Sequence, residues 1–154
     1  MTKRLTAIGT VVILLMGLQG CASVNEKALR LFSAQAKSVA IVHGQLLFGR
    51  IDLLPDRTGT ASLAADGESP VRCAGQFRYT GSDSGSLDLR CSDGYNVAMQ
   101  FSAMTEISGY AYGQTGSDDA SLAYGLSDAD SIAILRPSTG KRLVLRSGGG
   151  LELQ

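Results

Sequence analysis

The stretch "CAGQFRYTGSDSGSLDLRC", residues 73–91, decides the fold because two alternating patterns flank a centre made of turn-forming residues. Apolar or small residues occupy every second position from 73 to 79 and again from 85 to 91. A period of two is typical of a β-strand with one buried face. Gly, Ser and Asp in the centre are residues that turns favour. The stretch therefore predicts two antiparallel strands joined by a short loop.

A hairpin with residues 80–84 as its loop brings the apolar faces of both strands together and puts two thiols opposite each other, within disulfide reach. The ring of Tyr79 is then expected to cover Gly85, as aromatic residues do for glycines in sheets. The facing pairs predicted by this register are Tyr79 with Gly85, Phe77 with Leu87, Gly75 with Leu89, and Cys73 with Cys91.

Cys73 and Cys91 have a structural and a functional interpretation. A redox or metal pair is disfavoured because the chain has no CxxC motif and only one histidine, His43, to complete a metal site. The third cysteine, Cys21, is assigned below to the N-terminal segment, so two thiols remain. An even number of remaining thiols in an exported protein favours a disulfide. We expect a structural Cys73–Cys91 disulfide, and we expect no metal and no cofactor.

Most of the remaining chain is also strand-like, with turn signals between short apolar runs. Residues 38–55 predict one long bent strand or two, with Gly44 and Gly49 as bulge or bend positions. The pattern predicts an all-β fold, an antiparallel meander of eight to ten short strands that forms a small barrel or a sandwich. Further strands are expected at 60–65, 95–104, 106–114, 120–126, 131–137 and 141–147.

Part of the hairpin sequence recurs. Residues 80–93 and 115–128 share eight identities in fourteen positions, including the string Thr-Gly-Ser-Asp. If the hairpin register is transferred to the second copy, Tyr112 faces Leu122 and Tyr110 faces Tyr124. The tyrosines at 110, 112 and 124 could then form a binding face, or they could fill the core and rim of the domain.

The acidic turns raise the question of calcium. Ca²⁺ takes six to eight oxygen ligands that converge on one site. The spacing of the acidic residues matches no known calcium loop, and Asp is also a common turn residue. Calcium binding therefore stays open at this point. The residues concerned are Asp83, Asp118, Asp119, Asp128 and Asp130.

No residue pattern indicates catalysis. His43 stands in an apolar strand without a nucleophile motif beside it, and we expect it to be an ordinary strand residue. Asp52 and Asp56 have no identifiable carboxylate partner. We predict that the protein is not an enzyme.

The N-terminal segment has the layout of a secretory signal. Lys3 and Arg4 precede an apolar run over 5–18 that is short for a membrane-spanning helix. The run ends in Leu18-Gln19-Gly20-Cys21, which resembles the lipobox of bacterial lipoproteins. An ordinary signal peptide followed by a fortuitous cysteine, or a short uncut anchor, are the alternatives.

The resemblance implies that residues 1–20 are removed and that Cys21 carries acyl chains, palmitate among them, which hold the protein durably on a membrane. In Gram-negative lipoproteins an Asp after the cysteine favours retention in the inner membrane. Ala22 at that position implies the cell outer membrane, with the periplasmic side favoured. Residues 21–37 then form a tether with a short helix over 23–37, which an S-x-x-E capping box begins, and residues 38–154 form the β-rich domain.

Two functions compete for such a domain. It could bind a protein of the envelope as an accessory subunit or inhibitor, and its general plan is similar to bacterial lipoprotein lysozyme inhibitors. Alternatively, it could carry a small ligand inside a barrel, in the manner of a lipocalin, although the chain has no Trp for the lipocalin G-x-W signature. Without Lys3 and Arg4 there are 12 basic residues against 14 acidic ones, which disfavours nucleic acid as a partner.

Overall fold

The computed structural model describes residues 33–115 and 118–154. One compact unit spans Ala34–Gln154. Eight antiparallel strands form a closed barrel in which each strand pairs with its neighbours in sequence and β8 pairs with β1. The strands are β1 (Ala34–Val42), β2 (Gln45–Leu53), β3 (Thr58–Ala65), β4 (Arg72–Tyr79), β5 (Ser84–Cys91), β6 (Asn96–Thr105), β7 (Ser108–Thr115) and β8 (Asp118–Tyr124). The expected all-β meander is confirmed, and its closed form is the barrel.

The hairpin of β4 and β5 has the register that the sequence predicts, from Tyr79 opposite Gly85 to Cys73 opposite Cys91. The two cysteines form a disulfide with their Cα atoms 4.0 Å apart. One detail of the prediction is wrong: the ring packed on Gly85 belongs to Phe101, which lies opposite it on β6. Tyr79 instead packs edge-on against Phe101, with 4.7 Å between ring centroids.

Residues 38–55 form two strands that a two-residue turn connects. His43 and Gly44 both have positive φ, of 50° and 67°. This combination is the one that tight hairpins use, because its twist matches that of the flanking strands. Gly49 is not a bulge. It pairs regularly with Ser38 and Leu63, and a side chain there would collide with the carbonyl of Ser62.

The barrel interior is filled by side chains from alternate positions of all eight strands. Three aromatic rings, from Phe77, Phe101 and Tyr124, form its centre, with centroids 5.1 Å apart for Phe77–Phe101 and 5.7 Å apart for Phe77–Tyr124. Aliphatic residues pack around them, among them Leu47, Ile51, Leu63, Leu87, Leu89, Val97, Met99 and Leu122.

The predicted register of the second hairpin is wrong by one residue. Tyr112 lies opposite Ser121 and Tyr110 opposite Ala123. The strands here extend to Thr115 and Asp118, which leaves a two-residue connection, whereas residues 80–83 connect β4 to β5. A shift of one residue turns a strand's side chains to the opposite face of the sheet. Gly109, Ala111 and Gly113 therefore take the inner positions of β7.

The two ends of the barrel carry different turns. We call the end where β1 begins the proximal end; it also holds residues 54–57, 80–83 and 106–107. The distal end holds residues 43–44, 66–71, 92–95 and the connection from Thr115 to Asp118. Residues 80–83, the first Thr-Gly-Ser-Asp string, consequently lie at the proximal end, whereas Thr115 and Asp118 of the second string lie at the distal end.

Residues 131–137, which the sequence analysis predicts as a strand, belong largely to a helix, α1 (Asp128–Ile134). Ser127 is its N-cap: the Ser127 hydroxyl accepts a hydrogen bond from the backbone N–H of Asp130 at 3.2 Å. The first turn carries Asp128 and Asp130, which favours a helix N-terminus. The helix ends before Leu135, two residues before Pro137.

The C-terminal segment covers one side of the barrel. After α1 it forms a small hairpin of β9 (Leu143–Leu145) and β10 (Leu151–Leu153). Together these elements bury Ile41 and Ala123, which point outward from β1 and β8. Leu135, Leu143 and Leu151 form the other half of this second core.

Residues 34–37, which the sequence analysis includes in the tether helix, are the first residues of β1. The barrel domain therefore begins at Ala34 and not at Ser38. Cys21 and residues 23–32 of the expected helix lie outside the described residues.

Candidate functional site

Tyr110 and Tyr112 lie side by side on the outer face of β7, with 5.3 Å between ring centroids. The hydroxyl of Tyr112 donates a hydrogen bond to the carbonyl of Ile134 at 2.9 Å, and the guanidinium of Arg136 lies 3.9 Å from its ring centroid. Ile134 is the last residue of α1, and Arg136 lies two residues after it. Tyr112 thus fastens the C-terminal segment to the barrel, and both rings are half-buried.

Tyr124, the third residue of the predicted face, lies on the other side of the sheet. It points into the barrel and is 1% exposed. Its hydroxyl makes no hydrogen bond of normal geometry among the described residues. Burial, and secondarily the neighbouring Tyr79 phenol, raise the pKa of Tyr124 above the ordinary value of 10. The three tyrosines therefore do not form one binding face.

His43 lies in the turn between β1 and β2, not within a strand as the sequence analysis expects. Its ring stacks on Tyr95 at 3.8 Å between centroids. Tyr95 comes from the turn between β5 and β6, and β1 and β5 lie on opposite sides of an eight-stranded barrel. The stack therefore reaches across the distal end and helps to close it.

The remaining acidic candidates have structural contacts. Asp52 lies on the outer face of β2, 3.7 Å from the Arg50 guanidinium. The carboxylate of Asp56 accepts hydrogen bonds from the backbone and hydroxyl of Thr58, at 3.1 and 2.6 Å. These bonds shape the turn between β2 and β3.

The acidic turns do not converge. Asp83 lies at the proximal end, Asp118 and Asp119 at the distal end, and Asp128 accepts a hydrogen bond from the backbone of Gly150 at 3.2 Å. Asp130 belongs to the N-terminal cap of α1. Across residues 33–115 and 118–154, no three potential metal ligands come together.

The outer face of β3–β6, which the C-terminal segment leaves uncovered, is not among the candidate sites predicted from the sequence. We call it the arginine face, because Arg72, Arg78 and Arg90 project from it and all three are exposed. Arg50 on β2 extends it, since Arg50 pairs with Ser62 on β3. One row across the sheet places small residues between two of the arginines: Arg50, Ser62, Ala74, Arg90, Asn96. The next row contains one exposed carboxylate, Asp88, which lies opposite Gln76 and Ala98.

The three arginines of this face have no acidic residue directly opposite them. Arg72 pairs with Ala64, Arg78 with Thr58 and Ser86, and Arg90 with Ala74 and Asn96. None forms an ion pair or hydrogen bond through its guanidinium within the described part of the chain. A shallow groove of about 560 Å³ lies between Arg72 and Arg90, with Ser62 and Ala74 among its lining residues.

Part of this face was visible in the sequence. The alternation over residues 72–79 marks Arg72, Ala74, Gln76 and Arg78 as outward-facing positions. The alternation did not show which outward faces the C-terminal segment covers, because that depends on tertiary packing.

No family model, curated protein or solved structure matches this chain. None of the helices in the described residues is long and apolar enough to cross a membrane.

Proposed function

We propose that this protein is a non-enzymatic, lipid-anchored lipoprotein of the bacterial cell envelope, and that its barrel binds an acidic surface of an envelope protein through the arginine face. The observation that carries the proposal is a set of exposed arginines on the side of the barrel that the C-terminal segment leaves uncovered, none of which forms an ion pair with another described residue. Arginine is enriched in protein interfaces because its planar guanidinium can bind carboxylates through two hydrogen bonds.

The floor of the arginine face suits a protein partner. Ser62, Ala74 and Ala98 are small and exposed, so a partner's side chains can reach between the arginines without first displacing bulky groups. Free arginines on such a face raise the rate of encounter with an acidic partner and disfavour a basic one. This role is of the accessory or inhibitor kind, in which one protein occupies the surface of another.

The anchoring part of the proposal rests on Leu18-Gln19-Gly20-Cys21 and on Ala22 after it. Acylation of Cys21 would hold the barrel at the outer membrane, on its periplasmic side. Metabolic labelling with a palmitate analogue tests this part. We expect label in the unmodified protein and none in Cys21→Ser, and equal labelling of both proteins would refute acylation at this residue.

A lipocalin-like carrier is the second candidate, since a closed eight-stranded antiparallel meander is the architecture of such carriers. The rings of Phe77, Phe101 and Tyr124 occupy the centre of the interior, which counts against it. Titration with fluorescent fatty acids distinguishes the two functions. Saturable binding that Leu122→Trp abolishes would favour a carrier.

The partner is best sought by site-specific crosslinking in the native envelope. A photoreactive amino acid at Ala74, on the floor of the arginine face, is expected to give one discrete adduct. The same amino acid at Gln114, which is exposed on β7, serves as the control and is expected to give none.

A charge-reversal pair then tests whether the arginines carry the interaction. Arg90→Glu is expected to abolish the Ala74 adduct, and added salt is expected to weaken it, because exposed charges are screened. Arg142→Glu makes the same charge change outside the arginine face and is expected to leave the adduct intact. An adduct that survives Arg90→Glu and Arg72→Glu together would remove the arginine face from the proposal.

A further inference from the structure

The turn between β6 and β7 displays two apolar side chains at the proximal end of the barrel. Met104 is 59% exposed and Ile107 is 49% exposed. The only other large hydrophobic residue of comparable exposure in the described part of the chain is Leu145, in the C-terminal hairpin. Met104 and Ile107 thus form a localised apolar tip.

Local structure holds this tip in place. The pairing shifts by one residue between Ala103 and Thr105, so Met104 is the extra residue of a β-bulge. Bulges of this kind redirect a side chain out of the regular pattern. The hydroxyls of Thr105 and Ser108 bond to each other at 2.7 Å, and the backbone N–H of Ile107 donates to the Thr105 hydroxyl at 3.3 Å. Thr105 and Ser108 thus meet each other's hydrogen-bonding needs within the turn, and Met104 and Ile107 face outward.

The turn is also supported from the side. Gly125 has a φ of +63°, and a side chain at this position would collide with the carbonyl of Ile107. The chain that leaves β8 therefore packs directly against the turn that carries the tip. This contact limits the freedom of the tip relative to the barrel.

We infer that this tip inserts into the lipid surface to which the protein is anchored, an inference that rests on the proposed acylation of Cys21. The domain begins at Ala34, at the same end of the barrel as the tip. Only twelve residues, 22–33, separate Cys21 from β1. They reach about 40 Å when fully extended and about 18 Å as the helix that the sequence predicts. The tether therefore starts from the proximal end and holds this end within about 40 Å of the membrane.

The chemistry of the tip specifies the kind of surface. Met104 and Ile107 offer apolar area and no positive charge, and Glu106 between them is acidic and exposed. Tyr110 follows on the outer face of β7, and tyrosine rings favour the interface between lipid and water. Insertion should therefore depend on acyl chains and not on anionic headgroups. Zwitterionic lipids suffice.

The test uses the absence of tryptophan from the chain. A single tryptophan introduced by Ile107→Trp, or separately by Met104→Trp, reports on the proximal end. Glu68→Trp, in the exposed turn between β3 and β4, reports on the distal end and is the matched control. Each acylated full-length protein is reconstituted into phosphatidylcholine vesicles, with and without brominated acyl chains.

Flotation with the vesicles reports anchoring, and tryptophan quenching reports which end touches lipid. We expect all three variants to float, and we expect blue-shifted, quenched emission for Ile107→Trp and Met104→Trp but not for Glu68→Trp. The result should be unchanged at high salt. Flotation of all three without quenching at positions 104 and 107 would overturn the inference and leave the anchor standing. Failure to float would overturn the anchor itself, and the inference with it.

Discussion

Tyr124 points its phenol into the barrel, where its hydroxyl makes no hydrogen bond of normal geometry with any described residue. An unsatisfied buried hydroxyl destabilises a fold, so Tyr124→Phe should be neutral or should stabilise the protein by about 1 kcal/mol at neutral pH. Denaturant unfolding measures this difference. Tyr110→Phe, on the outer surface, is the matched control and should change stability by less than about 0.5 kcal/mol.

The same residue predicts a pH dependence. Because the folded-state pKa of Tyr124 is raised, both states keep the proton below pH 10 and the full stability is present there. Above pH 10 the unfolded state loses this proton first, so stability should fall with rising pH by up to about 1.4 kcal/mol per unit. Unfolding free energies measured between pH 9 and 11 test this. Tyr124→Phe should flatten the decline, and an unchanged slope in that variant would contradict the assignment.

Gly85 is required by the closeness of its neighbours and not by a special φ. A Cβ atom at this position would lie 2.6 Å from the ring of Phe101 and would collide with the carbonyl of Arg78. Gly85→Ala should therefore lower the free energy of unfolding by about 1–3 kcal/mol, as overpacking does. Gly148→Ala, where no atom of the described residues lies within 4 Å of the added Cβ atom, should change it by less than about 0.5 kcal/mol. Equal effects of the two substitutions would refute the packing argument.

At the scale of elements, the disulfide joins the distal ends of β4 and β5 across 18 residues. Closing a loop of this length is expected to stabilise the fold by about 3 kcal/mol. The double substitution Cys73→Ala and Cys91→Ala should cost that amount in a denaturant titration. The hairpin itself should persist, because Phe77 and Leu87 hold the same register through the core. Loss of all β-sheet circular dichroism at room temperature would contradict this expectation.

A comparison of the two hairpins shows why the sequence predicts the register of the first correctly and that of the second incorrectly. In the first, two thiols and an alternating apolar face define one register. In the second hairpin the repeated residues lie mostly in the turn, and no pair of cysteines across the strands defines their register. Tyr110 and Tyr112 are the largest of the alternating residues of β7, so the sequence pattern assigns them to the core. The interior already holds Phe77, Phe101 and Tyr124, however, and leaves room on β7 only for glycine and alanine.

The same limit applies to α1. The sequence Ser-Ile-Ala-Ile-Leu at 131–135 alternates as a strand does, so its pattern predicts a strand. The helix follows from the Ser127 cap and from the packing of Ile132 and Leu135 on the outside of the barrel. Tertiary packing decides which outer faces this segment covers and which face stays free for a partner. A local sequence pattern does not predict this.

At the scale of the whole molecule, the barrel has three kinds of outer surface. The C-terminal segment covers β8, β1 and parts of β2 and β7. The arginine face lies on β3–β6 with Arg50 of β2 at its edge, and the apolar tip marks the proximal end. If the tip rests on lipid, the arginine face stands at the side of the barrel and not against the membrane. It would then be open to a partner that lies beside the barrel.

This arrangement requires the C-terminal segment to be part of the same cooperative unit as the barrel. Leu151 on β10 is buried against Ile41 and its neighbours, whereas Leu145 on the paired strand β9 is 51% exposed. Leu151→Ala should therefore cost about 2–4 kcal/mol, and Leu145→Ala less than about 0.5 kcal/mol. Both should unfold in one transition, seen alike by tyrosine fluorescence and by far-ultraviolet circular dichroism. A separate early transition in Leu151→Ala would mean that the segment detaches on its own, and the covered side of the barrel would then become available for binding.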